Sequence, residues 1–186
     1  HLNRYGVTSV QDNTWFPQIL NEYRRLHRAG ELTCRLSCWS PGFLKSVDPW
    51  FSHKRFRAGW YELGPRKYFV DGAFSSHTAW LTEAYADQPG NCGAGTPAEV
   101  MANLIGRANN HNRQIACHSI GDAATASYLD GVELAGIEHA ARLRHRIEHG
   151  QLIRPEDIGR IADYGMIVSA QPHAAGSPGS ASPAAS

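Results

Sequence analysis

The chain has 186 residues, of which 42% are hydrophobic, and its formal net charge is +1. A chain of this size and apolar content can bury a core, as one domain or as part of a larger one. The near-neutral charge excludes a basic surface for nucleic acid. No apolar run approaches the roughly 20 residues that span a bilayer, and no signal peptide opens the chain, so we expect a cytoplasmic protein without membrane contact.

Strands and helices alternate along the first part of the chain. The hydrophobic pattern predicts strands at residues 5–11, 32–39 and 66–71 and an amphipathic helix at 15–29. Helix-capping side chains (Asp12, Asn13 and Thr14) precede this helix, and Gly30 ends it. Residues 40–64 are predicted to form an aromatic-rich connection with a short helix around 50–57.

The second part repeats the alternation after a long irregular segment at residues 73–95. Segments of this length inside compact domains are usually lids or binding loops. A capping box at residues 96–99 then begins a helix that continues to about His111. The remaining elements are predicted as strands at 114–118, 144–149 and 166–171 and helices at 123–141 and 154–164.

Six strands with helices or long crossovers between them predict an α/β fold with a parallel sheet. A barrel is one closed form of such a sheet, although six strands do not complete the usual eight. Residues 174–186 contain only Ala, Gly, Ser and Pro, and we expect this tail to be disordered. The predicted folded part is therefore residues 1–173. Four cysteines, Cys34, Cys38, Cys92 and Cys117, are too few for a disulfide scaffold, and we interpret them as buried thiols.

Two of the predicted strands end in histidine. His118 closes the strand at 114–118, and His149 closes the strand at 144–149. The carboxyl ends of parallel strands are where ligands and catalytic groups gather, so the two imidazoles are expected to converge. From the residues alone, a histidine at a strand end is also commonly a hydrogen-bonded structural residue.

Five sequence blocks together resemble the amidohydrolase superfamily. They occur in the family's order and at about its distances, and they read GVTSVQD from Gly6, KYFVDG from Lys67, HSIGD from His118, RIEH from Arg146 and SAQPH from Ser169. The subgroup is that of the YtcJ-like or N-substituted formamide deformylase-like metal-dependent hydrolases, amidohydrolase family 3. The resemblance covers roughly residues 5–173 and implies a partial (β/α)₈ TIM-type barrel with about six of its eight strands.

The resemblance also implies three metal ligands. Lys67 matches the family's strand-borne lysine, which carbon dioxide carboxylates to a carbamate, although a lone lysine on a strand is usually a surface cation. His118 and His149 match the histidines that end the next two strands. Imidazole nitrogen and carbamate oxygen suit zinc or a similar divalent ion, with one or two ions bound, and an open position leaves room for water.

The function that the resemblance implies is metal-dependent hydrolysis. A metal-activated water would attack an amide or formamide carbonyl, so that the bond cleaved is a carbon-nitrogen bond other than a peptide bond. The partner expected is a small-molecule amide-type substrate. The alternative that the residues leave open is a truncated, catalytically inactive amidohydrolase-like remnant.

Two elements of the family's metal site are not found in this sequence. No His-x-His pair occurs, and the tail stands where the family has the aspartate of its last strand. We therefore interpret the chain as a fragment, and an incomplete barrel with unpaired strand edges could form a homo-oligomer. A doubly wound nucleotide-binding fold is a weaker rival, because neither G-x-G-x-x-G nor a P-loop is present.

Several other polar residues lie near the predicted site in the sequence pattern. His77, in the loop at 73–95, and Gln171 and His173, at the end of the last strand, are candidate substrate-binding residues. Asp122 is predicted to cap the following helix or to hold a ligand imidazole, and capping is the simpler interpretation. Glu148 is predicted to form a buried ion pair with an arginine. His145 shares a face with Ile147 and His149 only in a regular strand, and it stays unassigned.

Overall fold

The computed structural model describes residues 1–14, 16–42 and 59–171. The chain forms two compact units, residues 1–68 and residues 69–186, and each is described here by itself. The short helix predicted around 50–57, the tail at 174–186 and the candidate residue His173 lie outside the described residues.

The described residues of the first unit, 1–14, 16–42 and 59–68, form three parallel strands, one α-helix and a short 3₁₀ helix. The strands are β1 (Ser9–Asn13), β2 (Arg35–Pro41) and β3 (Tyr61–Phe69), whose last residue already belongs to the second unit, and the helix is α1 (Pro17–Arg28). β2 pairs with both β1 and β3, with an irregularity between Cys38 and Ser40. The buried side chains of Leu20, Leu36 and Cys38 form its core. The apolar face of α1 therefore packs on the sheet, as its sequence pattern predicts.

Two predictions for the first unit needed correction. The first strand begins at Ser9 and not at residue 5, because residues 2–5 form a 3₁₀ turn that ends at Gly6 with a φ of 75°. The third strand begins at Tyr61, five residues before the predicted start, because Tyr61 and Leu63 pack against the core of this unit. The Pro and Gly residues of the segment at 40–64 had instead indicated a connection up to Gly64.

The ends of α1 differ in how well the sequence predicted them. The helix ends as expected, since Gly30 has a φ of 69° and its N–H donates to His27 while Glu31 N–H donates to Leu26. This is the Schellman arrangement, which a glycine accommodates without strain. The predicted side-chain cap from Asp12, Asn13 or Thr14 is wrong, because the helix begins after Phe16 without a side-chain cap and Thr14 donates its hydroxyl to Asp12 instead.

As far as residue 171, the second unit has three parallel strands among four α-helices. In chain order the elements are α2 (Ala98–Asn110), β4 (Ile115–Ser119), α3 (Asp122–Ala135), α4 (Ile137–Leu143), β5 (Arg146–His149), α5 (Pro155–Asp163) and β6 (Ile167–Ala170). β5 lies between β4 and β6, with Ser119 opposite His149 and His149 opposite Ala170. Ile115, Cys117, Tyr128 and Ile147 are fully buried. β4 and β5 are therefore the centre of this unit's core.

Two helix predictions in the second unit were also wrong in detail. The single helix predicted at 123–141 is two helices, because Gly136 has a φ of 102° and interrupts the helical hydrogen bonding. The capping box at 96–99 does not form. Thr96 donates its hydroxyl to the carbonyl of Phe69, and α2 begins after Pro97 without a side-chain cap. A long-range partner therefore replaces the local one.

The predicted α/β class, with six parallel strands, is confirmed for the residues that the structure describes. Helices or long connections separate strands that run in the same direction, as parallel pairing requires. All four cysteines are free, and Cys92 alone among them is only half-buried. Within the described ranges, no helix is long and apolar enough to cross a membrane.

Candidate metal centre

The carboxyl ends of β4 and β5 bring His118 and His149 together. His118 is the next-to-last residue of β4 and His149 is the last residue of β5. Their ring centroids are 4.5 Å apart and the ring planes meet at 64°. Both side chains are partly accessible to solvent. The convergence of these two imidazoles, which the sequence predicted, is therefore present in the second unit.

The protonation of His118 follows from its neighbour Gly72. Nε2 of His118 lies 2.8 Å from the Gly72 carbonyl oxygen. A carbonyl only accepts hydrogen bonds, so Nε2 carries the proton of the neutral ring and Nδ1 carries the lone pair. The ring also lies 5.2 Å from that of Phe69. Backbone and aromatic contacts thus define the orientation of this imidazole.

His149 has the opposite tautomer. Its Nδ1 lies 2.8 Å from the side-chain oxygen Oε1 of Gln171, so Nδ1 donates and Nε2 carries the lone pair. The backbone of His149 has a φ of 77°, which is uncommon for a residue other than glycine and is frequent at functional sites. The predicted substrate-binding residue Gln171 is therefore in contact with a candidate metal ligand.

A buried aspartate connects the strand ends around these histidines. The carboxylate of Asp71 accepts hydrogen bonds from the backbone N–H groups of Trp80, Ile120 and Gly121, and its Oδ1 is 3.8 Å from Nε2 of His118. Burial raises the pKa of Asp71, and the three N–H donors oppose this rise. Asp71 therefore fixes the start of α3 and the loop that precedes α2.

Sequence reasoning did not give Asp71 a role, although its Asp-Gly position at the end of a strand was a usable signal. The predicted cap, Asp122, is not one. α3 has Gly121 at its N-terminal boundary without a side-chain cap, and Asp122 accepts a hydrogen bond from the N–H of Thr82. Asp71 binds the Gly121 N–H from a distant part of the chain, which local sequence patterns do not reveal.

The segment at residues 73–95 is irregular, as predicted, apart from a 3₁₀ helix at Phe74–Ser76, and its role as a lid or binding loop stays a prediction. Leu81 N–H donates to Cys92 and Tyr85 N–H donates to Asn91, which closes the segment on itself. Ala79, Leu81 and Tyr85 form a small apolar cluster with Ile120. A Cβ atom at Gly121 would lie 1.9 Å from the Trp80 carbonyl oxygen, so the loop and the start of α3 approach as closely as backbones can.

His77 lies within this loop and already has two neighbours. Its Nε2 is 2.8 Å from the carboxylate of Asp87, and its ring lies edge-on to Tyr85 with 4.8 Å between the centroids. Its φ is 51°. These contacts orient His77, while substrate binding by this residue stays a prediction.

Lys67 belongs to the first unit. It lies on β3 opposite Pro41 of β2, its carbonyl accepts a hydrogen bond from Gly42, and 5% of its surface is exposed. The reading of Lys67 as an ordinary surface cation is therefore wrong. Burial of a lysine is unusual and agrees with a special role, although its role as a ligand stays a prediction. Among the described residues, no group of three or more His, Cys, Asp or Glu side chains could hold a metal ion.

Glu148 in β5 and His145, just before β5, form hydrogen bonds with neighbouring residues. Glu148 accepts a hydrogen bond of 2.7 Å from Nε of Arg146, which confirms the predicted ion pair. His145, which precedes β5, is fully buried between the N–H of Ile115 and the side chain of Asn109. It therefore lies outside the alternation of the strand, and this explains why the face-sharing argument could not assign it.

Parallel strands with histidines at neighbouring carboxyl ends are an arrangement typical of metal-dependent α/β enzymes. The chain belongs to the amidohydrolase family, whose model matches residues 1–181. It is 32% identical over 174 residues to a putative amidohydrolase, YtcJ, of Bacillus subtilis (strain 168). The match covers 92% of this chain and 30% of that protein.

Two solved structures show a similar fold. They are uncharacterized metal-dependent hydrolases from Pyrococcus horikoshii OT3 (TM-score 0.78, 27% identity) and Pyrococcus furiosus (TM-score 0.71, 29% identity). The matches cover 93% and 89% of this chain and 35% and 33% of the two structures. The chain thus spans about a third of the length of these proteins.

Proposed function

We propose that the chain is part of a metal-dependent hydrolase that cleaves carbon-nitrogen bonds other than peptide bonds, in small amides or formamides. The observation that carries the proposal is the pair of imidazoles, His118 and His149, at adjacent strand ends of an amidohydrolase family member. The metal-dependent hydrolases of similar fold support the need for a divalent ion. We expect zinc, with one or two ions bound.

The donor atoms fit such an ion. Because Nε2 of His118 and Nδ1 of His149 donate to carbonyl-type oxygens, each ring has its lone pair on the other nitrogen, Nδ1 and Nε2 respectively. We propose the carboxylated side chain of Lys67 as the third ligand, formed with carbon dioxide. A divalent ion held by these residues would supply Lewis acidity that polarises a carbonyl and acidifies water.

The other residues of the site would orient ligands and substrate. Asp71 holds the backbone at the start of α3 next to His118, so a shift of this carboxylate would move a ligand. The loop at 73–95 has the aromatic side chains of Trp80 and Tyr85 and the imidazole of His77. We propose that it borders the substrate and that His77 contacts it.

The proposal is tested with the product of the native gene, purified with zinc and bicarbonate. Metal content and the hydrolysis of N-substituted formamides and simple amides are measured for the unchanged protein and for the double variant His118→Ala/His149→Ala. Loss of two imidazole ligands should remove most of the bound zinc and lower the activity more than about 100-fold. This loss is larger than the loss of about 10-fold to 100-fold that follows when only a hydrogen-bond partner of a ligand is removed.

His111→Ala is the matched control, because His111 is exposed at the end of α2 and should leave both properties unchanged. Unchanged zinc content and activity in the double variant would contradict the proposal. An unchanged protein that binds no metal and hydrolyses neither substrate class would instead support the inactive alternative.

A further inference from the structure

The contact between Gln171 and His149 links the end of β6 to the end of β5. His149 lies opposite Ala170 in the parallel pairing, so Gln171 is the first residue beyond the paired region. Its side chain reaches back, and Oε1 lies 2.8 Å from Nδ1 of His149. Gln171 is itself exposed, so no burial of its own explains this orientation.

The imidazole of His149 needs an external partner to define its tautomer and direction. Its backbone has a φ of 77°, and the following Gly150 has a φ of 51°, so the chain turns away from the strand at this point. Hydrogen bonds from Gly150 to Ser119 and from Leu152 to Ile120 hold the backbone of this turn. The hydrogen bond to Gln171 distinguishes the two ring nitrogens of His149.

We propose that Gln171 is a positioning residue for His149. Its amide oxygen keeps the imidazole proton on Nδ1, and as a result Nε2, the ring nitrogen that does not contact Gln171, carries the lone pair. A partner of this kind fixes the tautomer and raises the basicity of a ligating histidine. The inference rests on the proposed function only in taking Nε2 as the atom that binds the metal.

This role differs from the substrate contact that the sequence suggested for Gln171. One lone pair of the amide oxygen is engaged by His149, which leaves its second lone pair and the two N–H groups of the amide nitrogen for a substrate. Gln171 would then influence the reaction chiefly through His149, and its effect should be visible without any substrate.

The test measures the tautomer of His149 in the metal-free chain by ¹H–¹⁵N NMR of the imidazole nitrogens, at about pH 8.5, where neutral imidazole predominates. The variants are Gln171→Met, which keeps the size and removes the acceptor, and Gln171→Glu, which keeps an acceptor. Gln18→Met, on the exposed face of α1, is the matched control. The His149 signals are identified by their loss in His149→Ala.

We expect the proton on Nδ1 in the unchanged chain, in Gln171→Glu and in Gln18→Met. In Gln171→Met we expect loss of the Nδ1–H preference and, in a zinc titration, binding weakened by about 10-fold to 100-fold. A purely structural role for Gln171 would not move the proton between ring nitrogens.

Nε2–H in the unchanged chain, or an unchanged tautomer in Gln171→Met, would overturn the inference. The tautomer is measured without metal, so failure of this inference is distinguishable from failure of the proposed function. If the tautomers behave as expected but zinc binds equally with and without His118 and His149, the positioning contact stands and the metal centre is wrong.

Discussion

His145 shows how burial determines the charge state of a single residue. The side chain is fully buried, Nδ1 accepts from the N–H of Ile115 at 3.3 Å, and Nε2 donates to the side-chain oxygen of Asn109 at 3.0 Å. Both ring nitrogens are therefore used by the neutral form. Burial, and after it electrostatic repulsion from His139 and Arg142, lowers the pKa of His145 to about 4.

Stability should consequently fall in mild acid. The pKa is about 4 in the folded chain and about 6.5 in the unfolded chain, so the unfolded state binds more protons between these values. The stability that depends on neutral His145 is fully present above about pH 6.5. As the pH falls towards 4, the free energy of unfolding decreases by up to about 3 kcal/mol.

Urea unfolding at a series of pH values checks this prediction. His145→Gln should be less stable at neutral pH and should show a shallower loss of stability between pH 6.5 and 4. His111→Ala, at an exposed position, should keep the slope of the unchanged chain. Equal slopes in His145→Gln and the unchanged chain would show that another group causes the acid sensitivity.

At the scale of elements, glycines control how closely helices and loops pack. A Cβ atom on Gly131 of α3 would lie 2.8 Å from Cβ of Met101 and 3.0 Å from the carbonyl oxygen of Ala98, both in α2. A Cβ atom on Gly106 of α2 would have no neighbouring atom within 4 Å. The first glycine therefore permits the approach of α2 and α3, whereas the second only lowers helix propensity.

Alanine substitutions at these two glycines should have opposite effects. Gly131→Ala should destabilise the chain by about 1–3 kcal/mol, since the added methyl group overpacks the contact between the helices. Gly106→Ala should stabilise it by up to about 1 kcal/mol, because alanine is the better helix former. The free energy of unfolding in urea measures both. Similar destabilisation by the two substitutions would contradict this account of the packing.

The elements themselves were largely predictable, and their ends were not. The apolar pattern predicted α1 and the six strands, and helix-start residues at Thr96–Glu99 and Arg154–Asp157 predicted α2 and α5. The capping box at Thr96 is unused, and Asp71 accepts hydrogen bonds at the start of α3, because each of these residues has a partner far away in the sequence. Local patterns predict such boundaries poorly because a distant hydrogen bond can replace a local one.

At the scale of the molecule, the two compact units differ in how much they bury. The second unit contains eight of the ten largest fully buried side chains among the described residues. The other two, Leu20 and Thr14, belong to the first unit. Local opening requires less free energy where fewer apolar groups are buried. The second unit should therefore be the more resistant to local unfolding.

Native-state hydrogen exchange tests this expectation. The slowest backbone amides should be those of β4, α3 and β5, around Cys117, Tyr128 and Ile147, because these residues are fully buried. Amides of β1 and α1 should exchange faster, through opening of the first unit. Equal protection in the two units would indicate that they unfold as one cooperative body.

The sequence by itself determined the class of fold and the family, because apolar periodicity and the five blocks of chemistry-bearing residues are local properties. It also predicted which two histidines would meet, since the carboxyl ends of neighbouring parallel strands lie at the same edge of a sheet. Only the tertiary structure assigned the partners of these histidines. Gln171 contacts His149 across 22 residues, and Gly72 contacts His118 across 46 residues. Such partners follow from strand register and loop packing, which a local pattern does not contain.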